Sequence, residues 1–303
     1  MLRPPWQVAG VDYPVGVPST ATLTDWQCLS GPGIVVHATA TPPAVSVYNT
    51  SNVVISGVDF SLHGGAHLYF VNSPNPTVIS SLFAGKNLTM VVGDVIYADA
   101  DSPNLTVSYN IINGAGAGNA SALVGASGGG TTTLTYNWLK NFPQHVLELN
   151  TTGGGPYSLV YTNNLIERGA TQPGAHLNYL QFETYTDSLS VAVEYNTSYQ
   201  TRQASGGEGY QFASGGTGLV KNVRYAHNVE IAAAPGTPLP VPTSLYSMSV
   251  LVHAGGLQNA GVAHANYIDR TAAFFWFYGG GSYAGWRFTG NYDMTTGALE
   301  TLP

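Results

Sequence analysis

Two glutamates in neighbouring segments of the chain could act together as an acid and a base. Glu148 lies in the alternating segment 145–150, and Glu183 lies in the similar segment 176–183. Aligning these segments as stacked strands places the two carboxylates one strand and two residues apart, a separation of roughly 8 Å. Inverting glycosidases hold their carboxyl groups about 6.5–9.5 Å apart, so the spacing indicates glycoside hydrolysis and leaves the shorter retaining distance open.

Imidazoles, amides and aromatic rings accompany this pair. His176 and His253 are candidates for assisting proton transfer, because histidine titrates near neutral pH. Amides can satisfy sugar hydroxyls, and flat rings can stack on the apolar faces of pyranoses. The candidate substrate-binding residues are Tyr179, Gln181, Gln211, Glu208, Asn178, Trp276, Tyr278 and His145. For any one of them, a solvated position on an outward strand face is the alternative interpretation.

Composition narrows the classes of partner. The chain of 303 residues is 44% hydrophobic but only 8% charged, with a net charge of −7, whereas an average soluble domain has roughly 25% charged residues. This balance argues against a nucleic-acid partner, which requires a basic surface. The shortage of Lys and Arg also disfavours uronate elimination by a His or Tyr base, although a lyase stays open. We expect a neutral or weakly acidic polysaccharide.

Other sequence features bear on metal binding, disulfide formation and location. Asp99 and Asp101 lie in an oxygen-rich segment that resembles a calcium loop but lacks a further acidic anchor, so we predict no metal and no cofactor, with calcium at this loop as the minor alternative. Cys28 is the single cysteine, which leaves no disulfide within the chain. The first residues lack the features of a signal peptide, and no apolar run approaches the ~18 residues of a membrane span. We expect an extracellular or virion-associated location.

A repeat organises the chain and must position these residues. Short alternating runs recur with almost no helical periodicity, and aligning them places one polar column at spacings of 23 to 38 residues. The column consists of Val58, Ser81, Asn110, Asn137, Asn164, Asn196, Asn228, Asn266 and Asn291. Such a period is typical of a solenoid. We expect the asparagines to occupy left-handed bends and to form an amide ladder between coils.

A second strand lies upstream of each column residue. Side chains alternate between faces along a strand, which assigns an interior and an exterior set. The predicted interior residues include Leu147, Leu149, Leu180, Phe182, Tyr210 and Phe212. Outward, we expect Glu148, Gln181 and Gln211 in one row, with Glu183 and His253 in the next. His145 and His176 would stack beside Glu208, either as a second acid–base group or as a structural stack.

The coil pattern and the asparagine column resemble right-handed parallel β-helices of the pectin-lyase-like superfamily. The resemblance covers roughly Val35 to Tyr292. It implies an all-β, single-stranded right-handed parallel β-helix of about nine coils, and a polysaccharide lyase, a glycosidase or a phage tailspike-like protein. The segment 175–181 is similar to the His-x-Asp-Gly-x-Gln strand of many bacterial β-helix proteins, but Asn178 replaces the Asp and Tyr179 replaces the Gly.

The chain divides into residues 1–34, predicted to be an irregular N-terminal cap or docking arm, and residues 35–303, the β-helix domain. Open ends of a β-helix invite edge pairing, so we expect a partner or a homo-oligomer, which would be a trimer if the protein is tailspike-like. Two functions stay open. The first is an enzyme that cleaves a polysaccharide, which the carboxylate pair favours. The second is a non-catalytic tailspike-like or surface glycan-binding protein.

Overall fold

The computed structural model describes three sheets that wind around one apolar core. The described residues are 2–89, 93–114, 122–142, 144–151, 155–167, 177–200, 207–232, 248–251, 260–269, 275–278 and 285–300. Within them the helical segments are three short 3-10 turns, at Trp26–Cys28, Leu62–Gly64 and Lys86–Thr89. No described helix has the length and apolarity that a membrane crossing requires.

Each coil contributes one strand to each sheet in the order A, B, C. Sheet A consists of Ile34–His37, Ala44–Tyr48, His67–Val71, Ile96–Ala98, Ala122–Ala126, His145–Thr151, Leu177–Thr184, Gly207–Ser214, Met248–Leu251 and Phe275–Tyr278. Sheet B consists of Val54–Ser56, Thr77–Ile79, Thr106–Ser108, Gly130–Thr135, Tyr157–Thr162, Ser188–Glu194, Val223–Ala226, Gly261–His264 and Trp286–Thr289. Sheet C consists of Thr24–Asp25, Val58–Asp59, Leu82–Phe83, Ile111–Asn113, Trp138–Lys140, Leu165–Glu167, Thr197–Gln200, Val229–Ala232, Tyr267–Ile268 and Tyr292–Asp293.

The strands pair in parallel with their equivalents one coil away, and the predicted fold class, an all-β parallel β-helix, is confirmed. One pair differs, because Ile34–His37 runs antiparallel to Ala44–Tyr48. The sequence alternation explains the strands: in Tyr157–Thr162 every second side chain is buried and the others are half-buried. The interior residues predicted for sheet A, from Leu147 to Phe212, are all buried in the core.

The asparagine column lies fully buried between sheets B and C. The Oδ1 atom of Asn137 accepts hydrogen bonds from the backbone N–H of Asn110 (2.9 Å) and from its side-chain amide (3.1 Å). Asn137 in turn donates to the carbonyl of Val107 (2.9 Å) and to Oδ1 of Asn164 (3.0 Å). The amide-to-amide bond recurs along the column to Asn291. Each asparagine therefore satisfies buried backbone groups of the coil before it.

The left-handed residue of each bend is the residue before the column, so the expectation that the column asparagines adopt this conformation is wrong. These bend residues have φ between 52° and 65°: Gly57, Ser80, Tyr109, Tyr136, Asn163, Tyr195, His227, Ala265 and Gly290. The division has a physical reason: the column residue must point inward to bond along the axis, so its neighbour takes the bend. Tyr109, Tyr136, Asn163, Tyr195 and His227 form what we call the turn row.

An N-terminal arm, residues 2–25, runs along the whole solenoid. It begins at the last coil, where the N–H of Leu2 donates to the carbonyl of Met294 (2.6 Å). Midway, the N–H of Gly16 donates to the carbonyl of Tyr136 (2.8 Å). The arm ends at the first coil, where Thr24 pairs with Val58 as a strand of sheet C. It therefore contacts both ends of the solenoid.

Candidate functional site

One outward row of sheet A carries aromatic, acidic and amide groups in succession. The strand register places Tyr69, Tyr97, Gly125, Glu148 and Gln181 side by side, one per coil. The residues on either side of each are buried in the core, so the row faces away from it. The predicted pairing of Glu148 with Gln181 is confirmed.

A second carboxylate reaches this row from outside the strands. Asp94 precedes the strand Ile96–Ala98, and its Oδ1 atom accepts a hydrogen bond from the N–H of Ala122 (3.0 Å). Its carboxylate lies over Gly125, where an added Cβ would overlap the Oδ2 atom. Gly125 pairs with Glu148 in the next coil. The absent side chain of Gly125 thus makes room for Asp94 beside Glu148.

The environment of Asp94 changes its protonation. Burial, followed by the charge of Glu148, raises the pKa of Asp94 to about 7. Burial penalises the charged form of a carboxyl group, and a neighbouring negative charge penalises it further. Asp94 is therefore a carboxylic acid that keeps its proton up to neutral pH. Pairs of carboxyl groups in such surroundings are typical of acid–base catalysis.

Amide groups continue the row on the other side of Glu148. The buried Asn178 donates from Nδ2 to Oε1 of Gln181 (2.7 Å) and to Oε1 of Gln211 (3.1 Å). Gln181 donates from Nε2 to Oε1 of Glu183 (3.1 Å). Four of the predicted site residues therefore form one hydrogen-bonded network, and Glu183 lies in register with Asn150, two residues beyond the position of Glu148.

The predicted outward orientation of Tyr179 is wrong. Its ring is buried in the core, 6.1 Å from the ring of Phe142 and 5.1 Å from that of Tyr210. The strict alternation of the strand begins only at Leu180, since both Tyr179 and Leu180 are buried. Tyr179 therefore cannot serve as a platform for sugar stacking.

The remaining predicted site residues fall into two groups. His145 is buried at the start of its strand and lies in register with Asn178. His176 and His253 lie outside the described residues, as do the side chains of Glu208, Trp276 and Tyr278. The stack of His145 on His176 therefore stays a prediction.

Metal binding receives no support from the part of the chain that the structure describes. It contains no group of three or more His, Cys, Asp or Glu side chains arranged to hold an ion. The carboxylate of Asp99 accepts hydrogen bonds from the N–H of Asn72 (3.1 Å) and from Oγ of Ser102 (2.7 Å). Asp99 thus has a structural role in its loop.

Sequence reasoning missed Asp94, although one signal for it exists. The alignment compared residues within strands, and Asp94 lies in the segment that leads into a strand. The signal was the glycine at position 125, in the row that carries Glu148 one coil later and Tyr97 one coil earlier. A glycine inside a strand often marks the close approach of another group, which here is a carboxylate.

Comparison with known proteins agrees with the fold. Residues 35–166 match the family model described as "Right handed beta helix region". The chain folds as a right-handed parallel β-helix, and the matched segment contains Asp94, Gly125 and Glu148. A search of curated proteins and a search of solved structures each found no match. Membership of the pectin-lyase-like superfamily stays a proposal.

Substituting alanine for Gly125 tests the position of Asp94. The new Cβ would overlap the Asp94 carboxylate, so we expect the free energy of unfolding to fall by about 1–3 kcal/mol. Urea denaturation monitored by circular dichroism measures the change. Gly155→Ala is the matched control, because a Cβ there meets nothing within 4 Å. Equal stability of the two variants would contradict the placement of Asp94.

Proposed function

We propose that the protein binds a polysaccharide along the outward row of sheet A and cleaves it by glycoside hydrolysis. One observation carries the proposal: Asp94, whose pKa is raised to about 7, lies beside Glu148. A glycosidase needs one protonated and one ionised carboxyl group at the same pH. The raised pKa of Asp94 supplies the protonated group of such a pair.

Each carboxyl group has a role in this proposal. Asp94 is the general acid, which donates its proton to the oxygen of the leaving sugar as the glycosidic bond breaks. Glu148 is the general base or nucleophile, which either removes a proton from the attacking water or attacks the anomeric carbon itself. The acid must be protonated at the working pH, and the raised pKa of Asp94 provides this condition near neutrality.

The neighbours of the pair would hold the sugar. Tyr69 and Tyr97 offer half-buried rings on one side of Asp94, where a pyranose face can stack. Gln181 and Gln211 offer amides on the other side for hydroxyl groups. Glu183, hydrogen-bonded to Gln181, is the second candidate for the partner of Glu148. Catalytic assistance from His176 and His253 stays a prediction from the sequence.

The alternative is a non-catalytic glycan-binding protein of the tailspike-like kind. The network of Asn178, Gln181 and Gln211 favours it, because amides recognise hydroxyl groups without any proton transfer. An extracellular or virion-associated location and a homo-oligomer belong to both proposals. Elimination from a uronate by a His or Tyr base is the remaining variant of the enzyme.

One experiment separates these functions. The full-length protein is incubated with a panel of bacterial and plant polysaccharides, and both reducing ends and the absorbance of unsaturated products are followed. New reducing ends without unsaturated products support hydrolysis, and unsaturated products would indicate a lyase. A polysaccharide that binds measurably but yields no new ends would contradict the enzyme and support the binding protein.

A further inference from the structure

The N-terminal arm and the turn row border a shallow, open cleft on a part of the solenoid that is separate from sheet A. Its volume is ≈ 420 Å³, which falls within the roughly 300–1,000 Å³ of small-molecule sites. The lining residues are Trp6, Gln7, Tyr13, Tyr136, Asn163 and Tyr195. Four are aromatic, two carry amides and none is charged. The cleft therefore suits an uncharged ligand with apolar faces and hydroxyl groups.

The turn row creates the cleft by a gap in its series of rings. Tyr109 and Tyr136 stack in adjacent coils with their centroids 4.9 Å apart and their planes 2° apart. Tyr195 and His227 stack in the same way at 4.6 Å and 9°. Between these two stacks the row position is held by Asn163, whose side chain is shorter. Tyr136 and Tyr195 border this gap, and Tyr13 of the arm reaches into it, because its ring lies 6.1 Å from that of Tyr136 and its hydroxyl donates to Asn163.

The width of this gap matches one sugar ring. Tyr136 and Tyr195 belong to coils two steps apart, and successive coils are roughly 4.8 Å apart, so the gap is roughly 9.6 Å. Two layers of carbon contacts occupy roughly 7–8 Å of it. A pyranose that enters from the open side, beside the ring of Tyr13, would have its ring atoms in the remainder. Its two apolar faces could then contact Tyr136 and Tyr195.

The N-terminal arm supplies the remaining lining residues of the cleft. Trp6 packs edge-on against His227 at 4.9 Å and against Tyr195 at 6.3 Å. The hydroxyl of Tyr13 donates to Oδ1 of Asn163 (2.9 Å) at the base of the gap. Gln7 is exposed between them along the arm. The amide groups of Gln7 and Asn163 therefore line the cleft beside its rings.

The backbone adds an independent argument. The tyrosines of the turn row adopt left-handed φ angles near 57°, a conformation in which Asn is enriched and bulky residues are rare. Asn163 shows that asparagine fits the same bend in this chain. The bend therefore does not require rings at positions 136 and 195. Stacking with neighbouring rings offsets part of the conformational free energy that a bulky residue costs at a left-handed φ.

We propose that this cleft binds one neutral pyranose unit of a glycan, as a site additional to sheet A. It uses neither Asp94 nor Glu148, so it does not depend on the proposed hydrolysis. A protein with both sites would hold a polysaccharide at the turn row independently of the row on sheet A. The lack of a cation among the lining residues predicts that a uronate is bound less well than a neutral sugar.

The test compares equivalent substitutions inside and outside the cleft. Calorimetric titration of the full-length protein uses neutral hexasaccharides of glucose, mannose, galactose and N-acetylglucosamine, with a galacturonate hexasaccharide as the charged probe. Tyr136→Asn and Tyr195→Asn remove the bordering rings and keep a residue that the bend accepts. We expect each to raise the Kd of a bound neutral probe by roughly tenfold or more, the loss of about 1.4 kcal/mol.

Tyr48→Asn is the control, because it makes the same change at an exposed tyrosine of the first coil that does not line the cleft. We expect it to leave the Kd within about twofold. The proposal is overturned if no neutral probe binds, if the cleft variants bind like wild type, or if Tyr48→Asn loses as much affinity. Retained cleft binding without any cleavage would contradict only the proposed hydrolysis.

Discussion

Replacing Glu148 with glutamine is expected to reduce the rate of glycan cleavage by about 10²–10⁴-fold, the usual contribution of a general acid or base. The amide keeps the size of the side chain and its hydrogen-bonding capacity but can neither accept a proton nor act as a nucleophile. Glycan binding should therefore change little. Release of reducing ends measures the cleavage rate, and calorimetry with the same polysaccharide measures binding.

Glu194→Gln is the matched control for this substitution. Glu194 lies on sheet B and forms an ion pair with the exposed Arg224 (2.7 Å), so its replacement removes a carboxylate outside the site. Glutamine keeps an oxygen that can accept a hydrogen bond from Arg224, and we expect normal cleavage in this variant. Full activity of Glu148→Gln would refute the role assigned to Glu148. Equal loss in Glu148→Gln and Glu194→Gln would indicate a general effect on the fold.

The same assay identifies the partner of Glu148. Asp94→Asn removes the protonated carboxyl group and keeps the acceptor for the N–H of Ala122, whereas Glu183→Gln alters a group that is hydrogen-bonded to Gln181. If Asp94 is the acid, Asp94→Asn loses activity to an extent similar to that of Glu148→Gln, and Glu183→Gln loses less. The reverse order would assign the pair to Glu148 and Glu183.

Replacing Asn164 with alanine is expected to lower the free energy of unfolding by about 3–5 kcal/mol. The substitution removes the acceptor for the N–H and the side-chain amide of Asn137, and it also removes the donor to the carbonyl of Leu134. All of these groups are buried away from water, so each unsatisfied group costs free energy. Urea denaturation provides the measurement.

An exposed asparagine pair provides the control. Asn52 accepts a hydrogen bond from the side-chain amide of Asn75 in the next coil (3.0 Å), but both side chains are exposed. Asn52 has a left-handed φ of 58°, which glycine tolerates. Asn52→Gly should cost less than about 1 kcal/mol. If Asn164→Ala is no more destabilising than Asn52→Gly, burial of the column does not determine its contribution to stability.

The repeat was predictable from the sequence because the column and the alternation both follow from the geometry of stacked coils. A buried amide that bonds to its equivalent must recur once per coil, and the outward row follows from the period of two along a strand. The pairing of Glu148 with Gln181 followed from the same rule. The face to which a side chain points is therefore predictable inside a strand wherever the alternation holds.

The errors lie where that regularity ends. Tyr179 is at the beginning of a strand, before the alternation starts, so its burial had no periodic signal. Asp94 lies in a connecting segment, whose position relative to sheet A no strand alignment can provide. The left-handed bend was assigned to the column asparagines because Asn favours it, whereas the structure places tyrosines such as Tyr136 there. The path of the N-terminal arm also has no repeat from which it could be inferred.

The central claim is that Asp94 is a protonated carboxyl group beside Glu148 on the outward row of sheet A. An NMR titration of the Asp94 side-chain carboxyl tests this claim directly. In wild type we expect a midpoint at about pH 7, so that the acid is present below this pH and cleavage declines as the pH rises through it. In Glu148→Gln the midpoint should move lower, because the neighbouring negative charge is gone. A midpoint near 3.8, the ordinary pKa of an aspartate, in both proteins would contradict the account.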